Sequence, residues 1–471
     1  MKVEQIYTGC LAEAAYYIES NGEAVIIDPL REIEPYLERA QADNAEIKYV
    51  LETHFHADFV SGHLDMAKKT GATIVYGPTA APNYEVHIAK DGEVLKVGKI
   101  TITVLHTPGH TLESSTYLLR DEKDKDYAIF TGDTLFLGDV GRPDLAIKQG
   151  ELTREDLAGF LFDSLRTKIM PLADDVIVYP GHGAGSACGK KMSKDTQGTL
   201  GDQKKFNYAL RADMTRAEFV KEVTTGLAEP PQYFPKNAVM NKMGYESLDI
   251  VRDRGFHALS VRAFKAAWEG ENAMVLDTRH QSEFAKGFIP GSIFIGVDGS
   301  FAPWVGALIT DLQMPILLVT EKGRELEVID RLARVGYDNS IGYLDGGFDS
   351  WKAAGEEIDT VEEVTPTGLE KLDRDTKINI LDVRKTSEYN AEHVVGSGNF
   401  PLDFINRNMS NLGRDEKYYL YCQTGYRSVI AASILKARGV HDVVNVLEGY
   451  TGILEKTNME HTEHIEQTTE L

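Results

Sequence analysis

Six metal-donor side chains follow apolar runs in the first half of the chain. Thr53-His54-Phe55-His56-Ala57-Asp58 comes directly after Tyr49-Val50-Leu51. Imidazole and carboxylate groups at i, i+2 and i+4 of a tight turn point into one cavity. The same placement recurs at His110 in Thr107-Pro108-Gly109-His110-Thr111, at Asp133 in Phe130-Thr131-Gly132-Asp133-Thr134, and at His182 in Tyr179-Pro180-Gly181-His182-Gly183. Nitrogen and oxygen donors gathered this way suit a divalent metal, and the glycines beside them let backbone approach closely. A lone histidine is more often a satisfied structural residue. Donors repeated at successive strand ends argue against that reading.

A second chemistry lies near the other end. Tyr418-Tyr419-Leu420-Tyr421 reads as a buried strand, Cys422-Gln423-Thr424-Gly425-Tyr426-Arg427 follows, and Ser428 to Arg438 has helical periodicity. A thiol between a strand end and a helix N-terminus faces unpaired N–H groups and the positive dipole end. That is the setting of a thiolate nucleophile, and Arg427 adds a cation able to bind an oxyanion.

These motifs need a scaffold of strands that end in turns. Ala24–Asp28, Tyr49–Leu51, Thr73–Tyr76, Ile100–Val104, Tyr127–Phe130 and Val176–Tyr179 read as strands. They interleave with helical stretches at Ile33–Ala42 and Thr215–Val223, which predicts layered α/β structure. Gly189 to Lys205 reads as a surface loop, and Glu229-Pro230-Pro231 with Pro235 as a connector. Beyond it the chain repeats itself. Leu276-Asp277-Thr278-Arg279 matches Leu381-Asp382-Val383-Arg384, Ser282-Glu283-Phe284 matches Ser387-Glu388-Tyr389, Gly291-Ser292 matches Gly396-Ser397, and Leu344-Asp345-Gly346 matches Leu447-Glu448-Gly449. A period near a hundred residues is that of a small domain present twice. The expected domains are 1–250, 251–360 and 361–460, with 461–471 an unpaired polar tail.

Composition narrows the partners. With 73 acidic and 50 basic residues, the formal net charge of −23 disfavours nucleic acid. Apolar runs such as Ile316–Val319 are too short for a bilayer, and the polar start Met1-Lys2-Val3-Glu4-Gln5 does not read as a secretory signal. Three cysteines, Cys10, Cys188 and Cys422, do not make a disulfide framework, so a reducing cytoplasm is expected. Cys10 reads as a packing residue.

The histidine segment resembles the metallo-β-lactamase superfamily, an αββα sandwich whose usual motif is His-x-His-x-Asp-His. Phe59 stands where the last histidine would be, so the second metal position loses a donor. That pattern resembles the persulfide dioxygenases of the superfamily, which are similar to glyoxalase II but bind a single iron. The resemblance implies one Fe(II) per chain held by His54, His110 and Asp133, a facial set with open positions. It leaves His56, Asp58 and His182 either to orient ligands and hold water or as inherited remnants, kept because removing buried polar groups leaves partners unsatisfied. It also offers Arg142, in Gly141-Arg142-Pro143-Asp144, either as a binder of a substrate carboxylate or as a partner of Asp144. Cys188 is either an acceptor of sulfane sulfur near the iron or an inert loop thiol.

The cysteine loop, with four residues between Cys422 and Arg427, resembles rhodanese, where backbone amides cradle a cysteine persulfide; tyrosine phosphatases have five. Gln423, Thr424, Gly425 and Tyr426 would form that cradle. In the first copy Val319 or Thr320 takes the cysteine position, so that domain keeps a fold without chemistry and serves docking, which implies a homo-oligomer, a dimer or tetramer. The whole resembles bacterial persulfide dioxygenase–rhodanese fusions: a low-molecular-weight persulfide and O2 give sulfite, and Cys422 exchanges sulfane sulfur between persulfide, sulfite and thiosulfate. A zinc thioester hydrolase of glyoxalase II type is the alternative.

Overall fold

The computed structural model describes residues 1–146 and 152–465. The chain divides into one compact unit built on Met1–Leu248 with Ala333–Gly336, and a second comprising Asp249–Leu332 and the chain from Tyr337 onward.

The first unit holds two six-stranded sheets. One runs Lys2–Thr8, Glu13–Ser20, Glu23–Ile27, Glu46–Leu51, Thr73–Tyr76, His87–Ile88. The other runs Gly198–Thr199, Ile177–Pro180, Asp126–Gly132, Ser115–Arg120, Ile100–His106, Val94–Val97. Successive side chains of a strand point to opposite faces, and here both faces are apolar. Tyr16, Ile18, Val25 and Ile27 meet Ile102, Val104, Tyr117 and Phe130 between the sheets. The alternate residues Tyr17, Ala24 and Ile26 pack on Tyr36, Ala40 and Met66 of the helices Glu34–Ala42 and His63–Thr70. On the opposite outer face Leu118, Ile129 and Val178 pack on Ala158, Leu161 and Phe219. The layers are therefore helix, sheet, sheet, helix.

Strand direction gathers the donors. Asp126–Gly132 is parallel to Ile177–Pro180, and both it and Ile100–His106 are antiparallel to the strand between them. Three strands thus end at one edge of the sheet, just before His110, Asp133 and His182.

The second unit contains two parallel five-stranded sheets of identical strand order. They run Ala258–Leu259, Ser340–Leu344, Ile316–Val319, Met274–Asp277, Ile293–Phe294 in the first repeat, and Glu362–Val364, Val443–Val446, Tyr418–Tyr421, Asn379–Asp382, Gly398–Asn399 in the second. The repeated Asp-x-Arg is a buried ion pair in both. Arg279 reaches Asp277 at 2.6 Å, stacks on Phe348 and donates to the Gly287 carbonyl; Arg384 does the same with Asp382 at 2.7 Å, Tyr450 and the Glu392 carbonyl.

Two expectations need correction. The stretch expected as loop to Lys205 turns helical at Leu200–Phe206, because Thr199 caps it by accepting from the Asp202 amide. The tail is paired as far as it is described: the Val395 and Ile465 amides bond the carbonyls of Glu460 and Ala391, and the Thr462 amide bonds that of His393. The rest of 461–471 lies outside the described residues.

Removing one member of a buried ion pair strands the other charge. Arg279→Ala leaves Asp277, which is fully buried, without its partner. The expected cost is about 3–5 kcal/mol in denaturant unfolding of the second unit; a change under about 1 kcal/mol, the scale of an exposed pair, would contradict the structural role given to the repeat.

Candidate metal centre and cysteine loop

The metal centre starts from hydrogen bonds that choose histidine tautomers. Thr53 Oγ1 donates to Asp28 Oδ2 at 2.8 Å and so accepts from His54 Nδ1 at 3.0 Å. The Asp28 carboxylate also accepts the Thr53 amide. His110 Nδ1 donates to the Arg142 carbonyl at 2.9 Å. Both rings therefore carry the proton on Nδ1 and present an Nε2 lone pair. These atoms converge on Asp133 Oδ2, His110 at 3.4 Å and His54 at 4.0 Å. That oxygen is buried and has no hydrogen-bond partner. The ligand atoms of His54, His110 and Asp133 all lie within 4.8 Å of one another, a fit for one divalent cation.

The charges agree. Burial, then His56, lowers His54 and keeps it neutral. Burial opposes the charge of Asp133, yet His182, by its charge and its hydrogen bond, offsets it and holds the carboxyl far below its usual range. His182 bridges Asp133 Oδ1 and Asp58 Oδ2, each at 2.8 Å. Burial opposes its charge as well, and the two carboxylates raise it well above the usual imidazole range. It is an imidazolium donating from both nitrogens. Glycine is needed at two positions: a Cβ on Gly181 would lie 2.8 Å from Asp133 Oδ1, and Gly132, at φ +47°, would meet Thr53 Oγ1 at 2.5 Å.

His56 turns away from this centre. It contacts Asp28 at 3.0 Å and Glu52 at 3.5 Å. Burial opposes its charge, but Asp28 and Glu52 raise it to about 9. Phe59, fully buried, lies over its ring at a centroid distance of 4.4 Å. Asn241 fixes the turn by donating to the carbonyls of His56 and Phe59 and accepting from the Ser61 amide. Asp28, Glu52, Thr53 and Asn241 escaped the sequence reading; only Asp28 carried a signal, as the acidic end of an apolar strand.

Arg142 does not offer a free cation. Its guanidinium clamps Asp144 at 2.6 and 2.8 Å and donates to the carbonyls of Ala187 and Ala228. The pairing alternative therefore describes it, and its carbonyl is what serves the centre. Cys188 is buried and its sulfur groups with Asp58 and His182, so the thiol faces the centre. Burial, then the charges of Asp133 and Asp58, push that thiol well up.

In the second unit Cys422 is buried, and its sulfur accepts the Gly425 amide at 3.1 Å and faces the Ser428 hydroxyl. Gly425, at φ +109°, precedes the helix Tyr426–Ala437. The expected cradle is only partly realised. Arg427 is clamped by Glu388 at 2.6 and 2.8 Å, so its fork is filled rather than open to an oxyanion. The Gln423 side chain is tied between Arg384 and Thr451. Thr424 is exposed, and Tyr426 turns to donate to the Gly296 carbonyl. What remains at the sulfur is the Gly425 amide and the Ser428 hydroxyl. The first repeat settles its own alternative. Asp277 pairs with Val319 as Asp382 pairs with Tyr421, which puts Thr320 in the cysteine position and Glu325 in that of Arg427.

Residues 8–182 match the metallo-beta-lactamase superfamily, and residues 260–354 and 365–456 each match the rhodanese-like domain. A metallo-beta-lactamase from Staphylococcus aureus is 30% identical, with 73% of this chain and 98% of that one covered and a TM-score of 0.63. The chain belongs to the metallo-beta-lactamase superfamily. Two rhodanese-like domains follow that fold. Among curated relatives, the hydroxyacylglutathione hydrolase GloC of Haemophilus influenzae is 30% identical over 36% of this chain and 84% of its own. ETHE1 from Myxococcus xanthus is 27% identical over 51% of this chain and 98% of its own, with a TM-score of 0.43. The metallo-beta-lactamase centre here is metal-binding in kind, with its donors in place.

Thr53→Val cuts the link from Asp28 to His54 and leaves the packing volume. Groups behind metal ligands typically contribute 10–100-fold in affinity. Ferrous-iron affinity in chelator competition is expected to fall by about that factor; a change within about twofold would show that the tautomer relay is not what holds His54.

Proposed function

We propose that the chain is a mononuclear iron persulfide dioxygenase coupled to a sulfurtransferase. The observation that carries the reading is Phe59 lying on a His56 already taken up by Asp28 and Glu52. A ring without donors stands where the motif has a histidine, and the neighbouring imidazole groups with Asp28 and Glu52 rather than with His54, His110 and Asp133. His54, His110 and Asp133 are left as two imidazoles and one carboxylate, the donor set of non-haem Fe(II) oxygenases. Iron held there would supply O2 activation. The overall change is RSSH + O2 + H2O → RSH + SO3²⁻ + 2H⁺.

The chain's own residues set the conditions. Thr53 and the Arg142 carbonyl keep His54 and His110 in the ligating tautomer. His182 and Asp58 hold Asp133 ionised. The buried surroundings exclude bulk water, so the sulfur chemistry is shielded from side reactions. Cys188 is buried with its sulfur beside Asp58 and His182, where burial favours the protonated thiol. In the second unit the Cys422 persulfide would pass its outer sulfur to sulfite, Cys–S–S⁻ + SO3²⁻ → Cys–S⁻ + S2O3²⁻. The product of one centre is the acceptor of the other. The reading takes the reaction to run in the cytoplasm.

A zinc hydrolase acting on hydroxyacylglutathione thioesters is the second reading. It is favoured by the names of the curated relatives and by Asp58, His182 and Cys188, which form a second convergent donor group. Metal analysis separates the two: one iron per chain is expected, and two metals per chain, with Asp58 ligating, would overturn the mononuclear reading. Cys422→Ser tests the coupling. With a small-molecule persulfide the variant should consume O2 at the wild-type rate, while its product shifts from thiosulfate to sulfite after subtraction of an enzyme-free control. Loss of O2 uptake at normal iron content, or unchanged thiosulfate, would refute the division of labour.

A further inference from the structure

The helix behind the reactive cysteine is buried nearly all round. Every residue from Ser428 to Leu435 is buried. A helix packed only on its own sheet keeps a polar outer face, and one apolar on all sides is covered on all sides. The cover on the far side is the first repeat. Its edge strand Ile293–Phe294 meets this helix, and the Phe294 amide donates to Ser433 Oγ at 3.0 Å in a buried bond.

The loop itself is held from the same side. Tyr426, between Cys422 and Arg427, points out of its own domain and donates to the Gly296 carbonyl at 2.9 Å. Its ring stands edge-on to Phe294 at 6.0 Å. It occupies space that two glycines leave open. A Cβ on Gly299 would lie 2.3 Å from the ring; one on Gly296 would lie 3.3 Å from it, and nearer still to the Phe294 ring at 3.0 Å and the Arg279 carbonyl at 3.1 Å. Neither glycine has a positive φ, so backbone conformation does not call for glycine at either position. The missing side chain is the requirement. Register makes the point sharper. Asp277 pairs with Phe294 as Asp382 pairs with Asn399. Gly296 and Gly299 of the first repeat therefore correspond to Pro401 and Phe404 of the second. The two glycines belong to the copy that lost its cysteine.

We infer that the first repeat is a positioning element of the sulfur-transfer site: Gly296 and Gly299 form a socket for Tyr426 that fixes the loop whose Gly425 amide bonds the Cys422 sulfur. The inference rests on Cys422 being the sulfur carrier. Tyr426 and Gly299 are positioning residues, since neither touches the sulfur. The consequence is that the repeat without chemistry of its own sets the rate of its neighbour.

The test uses the full chain with thiosulfate and cyanide, scored as thiocyanate. Cys422 takes the outer sulfur of thiosulfate and releases sulfite, and cyanide then takes that sulfur and frees the thiolate. Gly299→Ala pushes a methyl group into the ring. It should lower kcat about tenfold, the lower end of what a misplacement near 1 Å costs, with the KM for thiosulfate within twofold and O2 uptake by the first unit unchanged. Tyr426→Phe keeps the ring and removes only the bond to Gly296, for a loss of about threefold. In a Tyr426→Ala background, Gly299→Ala should cost nothing further, because the ring it displaces is gone. The inference is overturned if Gly299→Ala and Tyr426→Phe both leave kcat unchanged, or if Gly299→Ala costs as much without the ring as with it. Cys422→Ser keeps the premise separate: if that variant still forms thiocyanate, the sulfur-carrier reading has failed, whereas if it is inactive and the socket variants are normal, only the socket has failed.

Discussion

Asp133 carries a negative charge with no route to water, and one of its two oxygens has no protein partner. A buried ion is tolerated only when it is paired or ligated. The first unit is arranged around that demand. His182 answers one oxygen as an imidazolium held by Asp58. The other is faced by two imidazoles whose Nε2 atoms are aimed by Thr53 and by a backbone carbonyl. Gly181 lacks a side chain so that Asp133 can be approached this closely, and Gly132 lacks one to leave room for Thr53. The strand directions follow from the same need, because three donors reach one point only if the strands bearing them end at one edge.

A second buried group stands beside the first and does different work. Asp28, Glu52 and His56 form a charge-paired cluster against Phe59. In a dinuclear centre His56 would face a metal. Here its Nε2 lies 3.0 Å from Asp28 and 3.5 Å from Glu52, and these three groups converge on one another apart from His54, His110 and Asp133. The fold around them is that of the metallo-beta-lactamase superfamily, and the curated relatives named hydroxyacylglutathione hydrolase match it in sequence.

Much of this was legible in the sequence because the relevant signals are local. Strand-end donors beside glycine showed where a cavity forms, and Phe59 showed which donor was missing. The repeated Leu-Asp-x-Arg marked two domains because a buried ion pair at a strand end needs those residues at that spacing. What stayed hidden depends on distant partners. Arg427 read as an open anion site and Arg142 as either that or the partner of Asp144; Glu388 and Asp144 fill both forks, and no spacing rule distinguishes a free guanidinium from a clamped one. Asn241 lies far along the chain from the turn it fixes. Tyr426 read as part of the sulfur cradle, yet its partner Gly296 lies in the other repeat. Between Val319 and Thr320 only strand register could choose.

The central claim is that the first unit does oxygen chemistry on a sulfur chain and not water chemistry on a thioester. The most direct measurement gives one iron-loaded preparation two substrates in parallel, glutathione persulfide with an oxygen electrode and a hydroxyacylglutathione thioester with a thiol-release readout. The account predicts one O2 consumed per persulfide and no thioester cleavage above the metal-free control. Thioester cleavage without oxygen uptake, restored by zinc as well as by iron, would contradict it.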